Sequence, residues 1–150
     1  MSIEEYIEAA FPNLQSCSWE ITSDPDEKYN CIAWAIGQTR RPWWPNEYGF
    51  WPESVPPEET VEAFVAALQT VGFAIASDAS VENGCEKIAL FAKNGTPKHA
   101  ARQLSDGQWT SKLGRKHDIT HATLEGVAGD LYGSVVEFLK RPRLATRADA

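Results

Sequence analysis

The sequence predicts an α+β domain, with helices first and an antiparallel strand set after them. Three observations carry this. Apolar residues recur at helical spacing in the first half, short β-rich blocks follow in the second, and Ser105-Asp106-Gly107 between two such blocks is a hairpin turn signal. With 150 residues and 43% apolar content the chain has room for one domain, and its core needs no disulfide or metal staple. The expected division is one domain over residues 1–142 and a flexible tail over 143–150.

Ile3, Tyr6, Ile7 and Ala10 are spaced as one face of a lead-in helix that Pro12 and Asn13 interrupt. Residues 13–28 are polar and turn-prone, with Ser23-Asp24-Pro25-Asp26 the strongest turn signal. Asn30 then precedes Cys31-Ile32-Ala33-Trp34-Ala35-Ile36, and Gly37 closes the run, which predicts a short capped helix with Cys31 in its first turn. Five prolines between Arg40 and Pro57 exclude regular structure there. Thr60 caps the clearest helix, whose face is Val61, Phe64, Val65 and Leu68 and which Gly72 ends. Strands are expected at 73–76, 87–92, 99–104 and 108–113, and 127–139 reads as strand or helix.

Net charge is −7, and residues 1–139 hold ten Lys or Arg against twenty Asp or Glu. Such a body repels a phosphate backbone, so no nucleic-acid partner is expected. The acidic N-terminus lacks an apolar signal region, and no run approaches the roughly eighteen apolar residues of a membrane span. The expectation is a cytoplasmic protein, or one exported by a signal-less route, without a membrane partner. Cys17, Cys31 and Cys85 are odd in number, widely spaced and free of any Cys-x-x-Cys pair, which speaks against a disulfide framework.

Cys31 carries the chemistry. In the first turn of a helix, unpaired backbone N–H groups and the helix dipole favour thiolate, so its pKa is expected below that of a free thiol. His99, expected exposed at a strand start, is the candidate base. The hairpin register decides what orients it. If Ser105-Asp106-Gly107 is a three-residue loop with Gly107 left-handed, His99 lies opposite Leu113 and diagonal to Ser111. A two-residue turn puts Lys112 there instead, and the more apolar face of Trp109, Ser111 and Leu113 favours the first register. Asp118 is the chemically better acceptor in a loop of unknown position, and Gln103 is a candidate oxyanion donor beside the Cys31 N–H.

Tyr29-Asn30-Cys31 opening a helix, His99 at a strand and Asp106-Gly107-Gln108-Trp109 at a hairpin resemble the papain-like superfamily, in particular its NlpC/P60 and CHAP amidase branches. That resemblance implies a papain-like fold, its N-terminal helices packed on a small antiparallel sheet. It also implies Cys31 as nucleophile, His99 as base and Ser111 as the orienting residue. Asn30-Cys31-Ile32-Ala33 departs from the usual Asp-Cys-Ser-Gly of NlpC/P60 enzymes. The order His99, Gly107, Trp109 is also similar to transglutaminase-like folds, without their Asp after the tryptophan. Longer strings, among them 29–35, 86–90, 99–104 and 109–114, look like a bacterial family of uncharacterised single-domain proteins over residues 11–142.

Trp43, Trp44 and Trp51 belong to a cluster of five aromatics that either roofs the core or forms a substrate platform beside Asn30. Lys112 with Arg102, Arg115 and Lys116 makes a basic spot suited to a substrate carboxylate. His117, Asp118 and His121 have only a weak metal spacing, so neither metal nor cofactor is expected. The leading expectation is a thiol hydrolase acting on a peptide or peptidoglycan-like amide. The rivals are a silent binding or immunity-type module with a protein partner, and a thiol-dependent deamidase or transglutaminase.

Overall fold

A computed structural model describes residues 1–143; apart from Arg143, the expected tail lies outside the described residues. Three helices and a seven-stranded antiparallel sheet make the architecture α+β. Helix α1 (Ile3–Ala10) starts at a reciprocal cap, in which the Ser2 hydroxyl accepts from the Glu5 amide and the Glu5 carboxylate accepts from the Ser2 amide. Helix α2 is Cys31–Ala35, capped by Asn30, and α3 is Val61–Gln69, capped by Thr60. Each cap is a residue whose side-chain oxygen takes an amide that the first turn leaves unpaired.

The strands are β1 (Trp19–Ile21), β2 (Ala74–Ala76), β3 (Cys85–Lys93), β4 (Thr96–Gln103), β5 (Trp109–Lys112), β6 (Asp118–His121) and β7 (Ser134–Pro142). Their order in the sheet is β1-β6-β5-β4-β3-β7-β2. Alternation along the strands separates two cores. Ile88, Leu90, Ala100 and Leu139 meet α2 and α3 on one face, and Ala89, Phe91, Ala101, Trp109 and Ile119 meet Ile7, Phe11 and Leu14 on the other. The sheet is therefore covered on both faces, by α2 and α3 on one and by the N-terminal segment around α1 on the other.

The hairpin between β4 and β5 has the three-residue register. Leu104 N–H bonds the Gln108 carbonyl at 2.8 Å, Gly107 has φ +91°, and Arg102 faces Thr110. The ambiguous 127–139 stretch contains the start of β7, which fills the gap between β3 and β2. Strands β1 and β6 were not expected, because each is three or four residues of mixed polarity; β6 pairs with its sequence neighbour β5 on one side, and on the other with β1, about a hundred residues away. No helix among the described residues is long and apolar enough to cross a membrane.

Candidate functional site

Asn30 does more than cap α2. Its side-chain oxygen accepts from the amides of Ala33 (3.1 Å) and Trp43 (3.0 Å), and its Nδ2 donates to the Trp43 carbonyl (2.8 Å). One side chain thus fixes the Cys31 turn and ties the proline-rich segment over it. Asn30→Ala is expected to cost about 2–3 kcal/mol, from a lost cap and stranded Trp43 backbone groups. Denaturant unfolding measures this, and a loss under about 0.5 kcal/mol would contradict the clamp.

Cys31 sits on the α2 side of the sheet with 6% of its surface exposed, at the wall of a cleft of about 270 Å³ that Trp44, Tyr48, Lys98, Gly114 and Arg115 also line. Burial pushes its thiol up to about 11. The amides of Ala100, Ile32 and Cys31 itself pull the other way and are outweighed. The expected lowered thiol pKa is thereby corrected: a five-residue helix brings few aligned dipoles, while desolvation of a buried sulfur acts in full.

The sheet is open where the sulfur lies. Strand β4 pairs with β5 only at Arg102↔Thr110 and Gln103↔Trp109. Amides of β4 alternate between its neighbours, so Ala100, four residues before Leu104, points toward β5 beyond the end of that ladder. Its N–H meets the Cys31 sulfur instead.

His99 precedes Ala100 and turns its ring to the other face. It is the fourth residue of β4 and wholly buried, so the expectation of an exposed histidine at a strand start is corrected too. Its ring stacks on Tyr132, centroids 4.0 Å apart and planes 2° from parallel, and tilts against Phe91. Nε2 lies 2.9 Å from Ser111 Oγ, which lies 2.8 Å from His121 Nε2, and His121 Nδ1 donates to the Thr123 carbonyl at 2.8 Å. His99 Nδ1 has no hydrogen-bond partner, so no bond joins it to the Cys31 thiol at rest. Tyr132 links the two sides. The same ring that stacks on His99 carries a hydroxyl that accepts from Gly114 N–H and is within electrostatic reach of Cys31.

A family model described as a domain of unknown function (DUF7689) matches residues 20–140. The chain belongs to that family. No curated protein and no solved structure matches it. Helix α1 lies before the matched DUF7689 segment, whereas Cys31, His99, Ser111, His121 and Tyr132 all lie within it.

Of the residues singled out in the sequence, this DUF7689 domain joins His99 to Ser111 and places Asn30, Cys31 and Trp44 at one cleft. Others lie elsewhere. Gln103 shares the His99 face but lies four residues further along β4, where its Nε2 donates to the Ala79 carbonyl at 2.7 Å, and it is no oxyanion donor. Asp118 is on the α2 side, accepting from the Tyr29 hydroxyl at 2.7 Å, and does not orient His99. Lys112 is fully buried, donating to the Lys116 carbonyl, 4.0 Å from Asp118 and over the Tyr29 ring, so no substrate carboxylate reaches it. Trp43 is core, 3% exposed with its indole N–H on Gln38, and Trp51 donates to the Pro56 carbonyl and packs on Phe64. Alternation on β6 sends Asp118 and His121 to opposite faces, so they do not share a ligand.

His121 is the site residue the sequence reading missed. The signal was present in Asp118-Ile119-Thr120-His121, a β-compatible alternation that places His121 with Ile119 on an apolar face.

Both histidines make the fold acid-sensitive. Burial holds His121 down to about 4 and His99 well below its ordinary value. The unfolded chain then binds protons that the folded one refuses, so stability is full above about 6.5 and falls as pH drops toward 4. The expected slope is about 1.4 kcal/mol per pH unit from His121 in that window, with His99 adding in the same direction. Denaturant midpoints across it test this, and a flat profile would contradict the neutral buried pair.

Proposed function

We propose that the protein is a thiol hydrolase of amide bonds on a papain-like plan, with Cys31 as nucleophile and His99 as base. The observation that carries this reading is His99 Nδ1. It is buried and unpartnered, on a ring whose other nitrogen is held by Ser111, one residue before the amide that meets the Cys31 sulfur. A buried polar atom without a partner is uncommon and invites a functional account.

Thiol and imidazole rest neutral, so attack is base-assisted. Sulfur forms a bond to the substrate carbonyl carbon while the thiol proton passes through the opening where β4 no longer pairs with β5 to His99 Nδ1, leaving an oxyanion. The amides of Cys31, Ile32 and Ala100, which converge on the sulfur, are the donors nearest that oxyanion. Collapse breaks the carbon–nitrogen bond, and His99 returns the proton to the leaving amine. Water then attacks the thioester, its proton again passing through His99, and frees the acid and the thiol. Lys98 and Arg115 at the cleft suit an anionic group on the substrate, and Trp44 and Tyr48 supply apolar contact.

The low exposure of Cys31 favours a second reading, a silent binding module that keeps the fold. Treatment with p-nitrophenyl acetate followed by peptide mass spectrometry separates them. The hydrolase acquires one acetyl group on Cys31 ahead of Cys17 and Cys85, although both of those thiols are more exposed. A module acetylates Cys17 and Cys85 first and leaves Cys31 untouched.

A further inference from the structure

We propose that His121 is a positioning residue that sets the tautomer of His99 through Ser111, keeping Nδ1 of His99 free of a proton. The proton positions follow from the heavy-atom network. The Thr123 carbonyl can only accept, so at 2.8 Å His121 Nδ1 carries a hydrogen. Both rings are wholly buried among apolar neighbours and neutral, which leaves His121 Nε2 a bare acceptor. Ser111 Oγ, 2.8 Å away, therefore gives its single hydroxyl proton to His121. Having spent that proton, Ser111 can only accept from its other neighbour, so His99 Nε2, at 2.9 Å, is the protonated nitrogen. Nδ1 is left with its lone pair, the state a proton acceptor needs.

Each link is forced by the one before it, and the chain starts at the carbonyl of Thr123, two residues past the end of β6. Without an acceptor at position 121 the Ser111 hydroxyl is free to turn toward His99 Nε2, which would move the His99 proton to Nδ1. The value of this arrangement to catalysis rests on the thiol-hydrolase reading, but the arrangement itself does not.

Imidazole ¹⁵N–¹H correlation spectra of the wild-type protein and of Cys31→Ala at neutral pH test it. The expected pattern is His99 protonated at Nε2 and bare at Nδ1, with His121 the reverse. His121→Phe is expected to shift His99 toward the Nδ1-protonated form, and His121→Gln, whose amide oxygen can accept from Ser111, to restore the wild-type pattern. A wild-type spectrum with the proton of His99 on Nδ1, or that of His121 on Nε2, overturns the proposal, and this needs no variant to fold. The readout is a ring nitrogen. A Cys31 that takes no acetyl group would therefore remove the hydrolase reading and leave the tautomer result standing.

Discussion

His99→Gln is expected to slow acetylation of Cys31 at neutral pH by about 10²- to 10⁴-fold, the range over which a positioned general base acts. The glutamine amide keeps polar contact with Ser111 and offers no base at that pH. The size of the loss follows from the resting state of the sulfur. With the thiol pushed up to about 11, the thiolate fraction at neutral pH is about 10⁻⁴, so a thiol without a base is nearly inert. Mass-resolved kinetics on the Cys31 peptide measure the rate, with Cys17 and Cys85 as internal controls whose rates should not move. A change of less than about threefold at Cys31 would mean that His99 is a structural histidine.

The second large effect is on stability. Gly133→Ala is expected to cost about 3–5 kcal/mol. Gly133 has φ +73°, and a methyl group there would overlap the Ala92 carbonyl oxygen and lie 2.6 Å from its carbon and 2.9 Å from Lys93 Cα. These are backbone atoms at the end of β3 and cannot swing aside. Gly133 also exchanges two hydrogen bonds with Gly129, 2.7 and 2.9 Å, closing the turn that carries Tyr132. The substitution therefore moves the ring stacked on His99 as well as straining the turn, and acetylation of Cys31 should fall with stability. Denaturant unfolding of the two proteins decides it; a difference within about 1 kcal/mol would contradict the packing described here.

Local signals in the sequence were read well where a few neighbouring residues settle the outcome. Thr60 and Asn30 cap the helices expected of them, and Gly107 imposes the loop that brings His99 diagonal to Ser111. Readings failed where the deciding partner is remote. Asp118 looked like the better acceptor for His99, and only the pairing of β6 with β5 and β1 reveals that it faces Tyr29. The same pairing puts His121 behind Ser111. A helix start favours thiolate at Cys31, but burial outweighs it, and nothing local to Cys31 says that its turn packs against Ala100 and the opened edge of β4. For Trp43, Trp44 and Trp51 the sequence leaves two roles open, a roof over the core or a platform beside Asn30. The structure packs Trp43 on Phe50 and both Trp44 and Trp51 on Phe64 of α3, and of the three only Trp44 also borders the cleft.

The pH profile of Cys31 acetylation tests the thiol–imidazole mechanism most directly. With His99 as base, the rate is already high at neutral pH, is nearly level between about pH 7 and 9, and falls only at acid pH as His99 takes a proton. In His99→Gln that plateau should vanish, leaving a tenfold rise per pH unit toward about 11, the titration of the buried thiol alone. If wild type and variant both climb along that same slope, Cys31 reacts as an unassisted thiol and the mechanism is wrong.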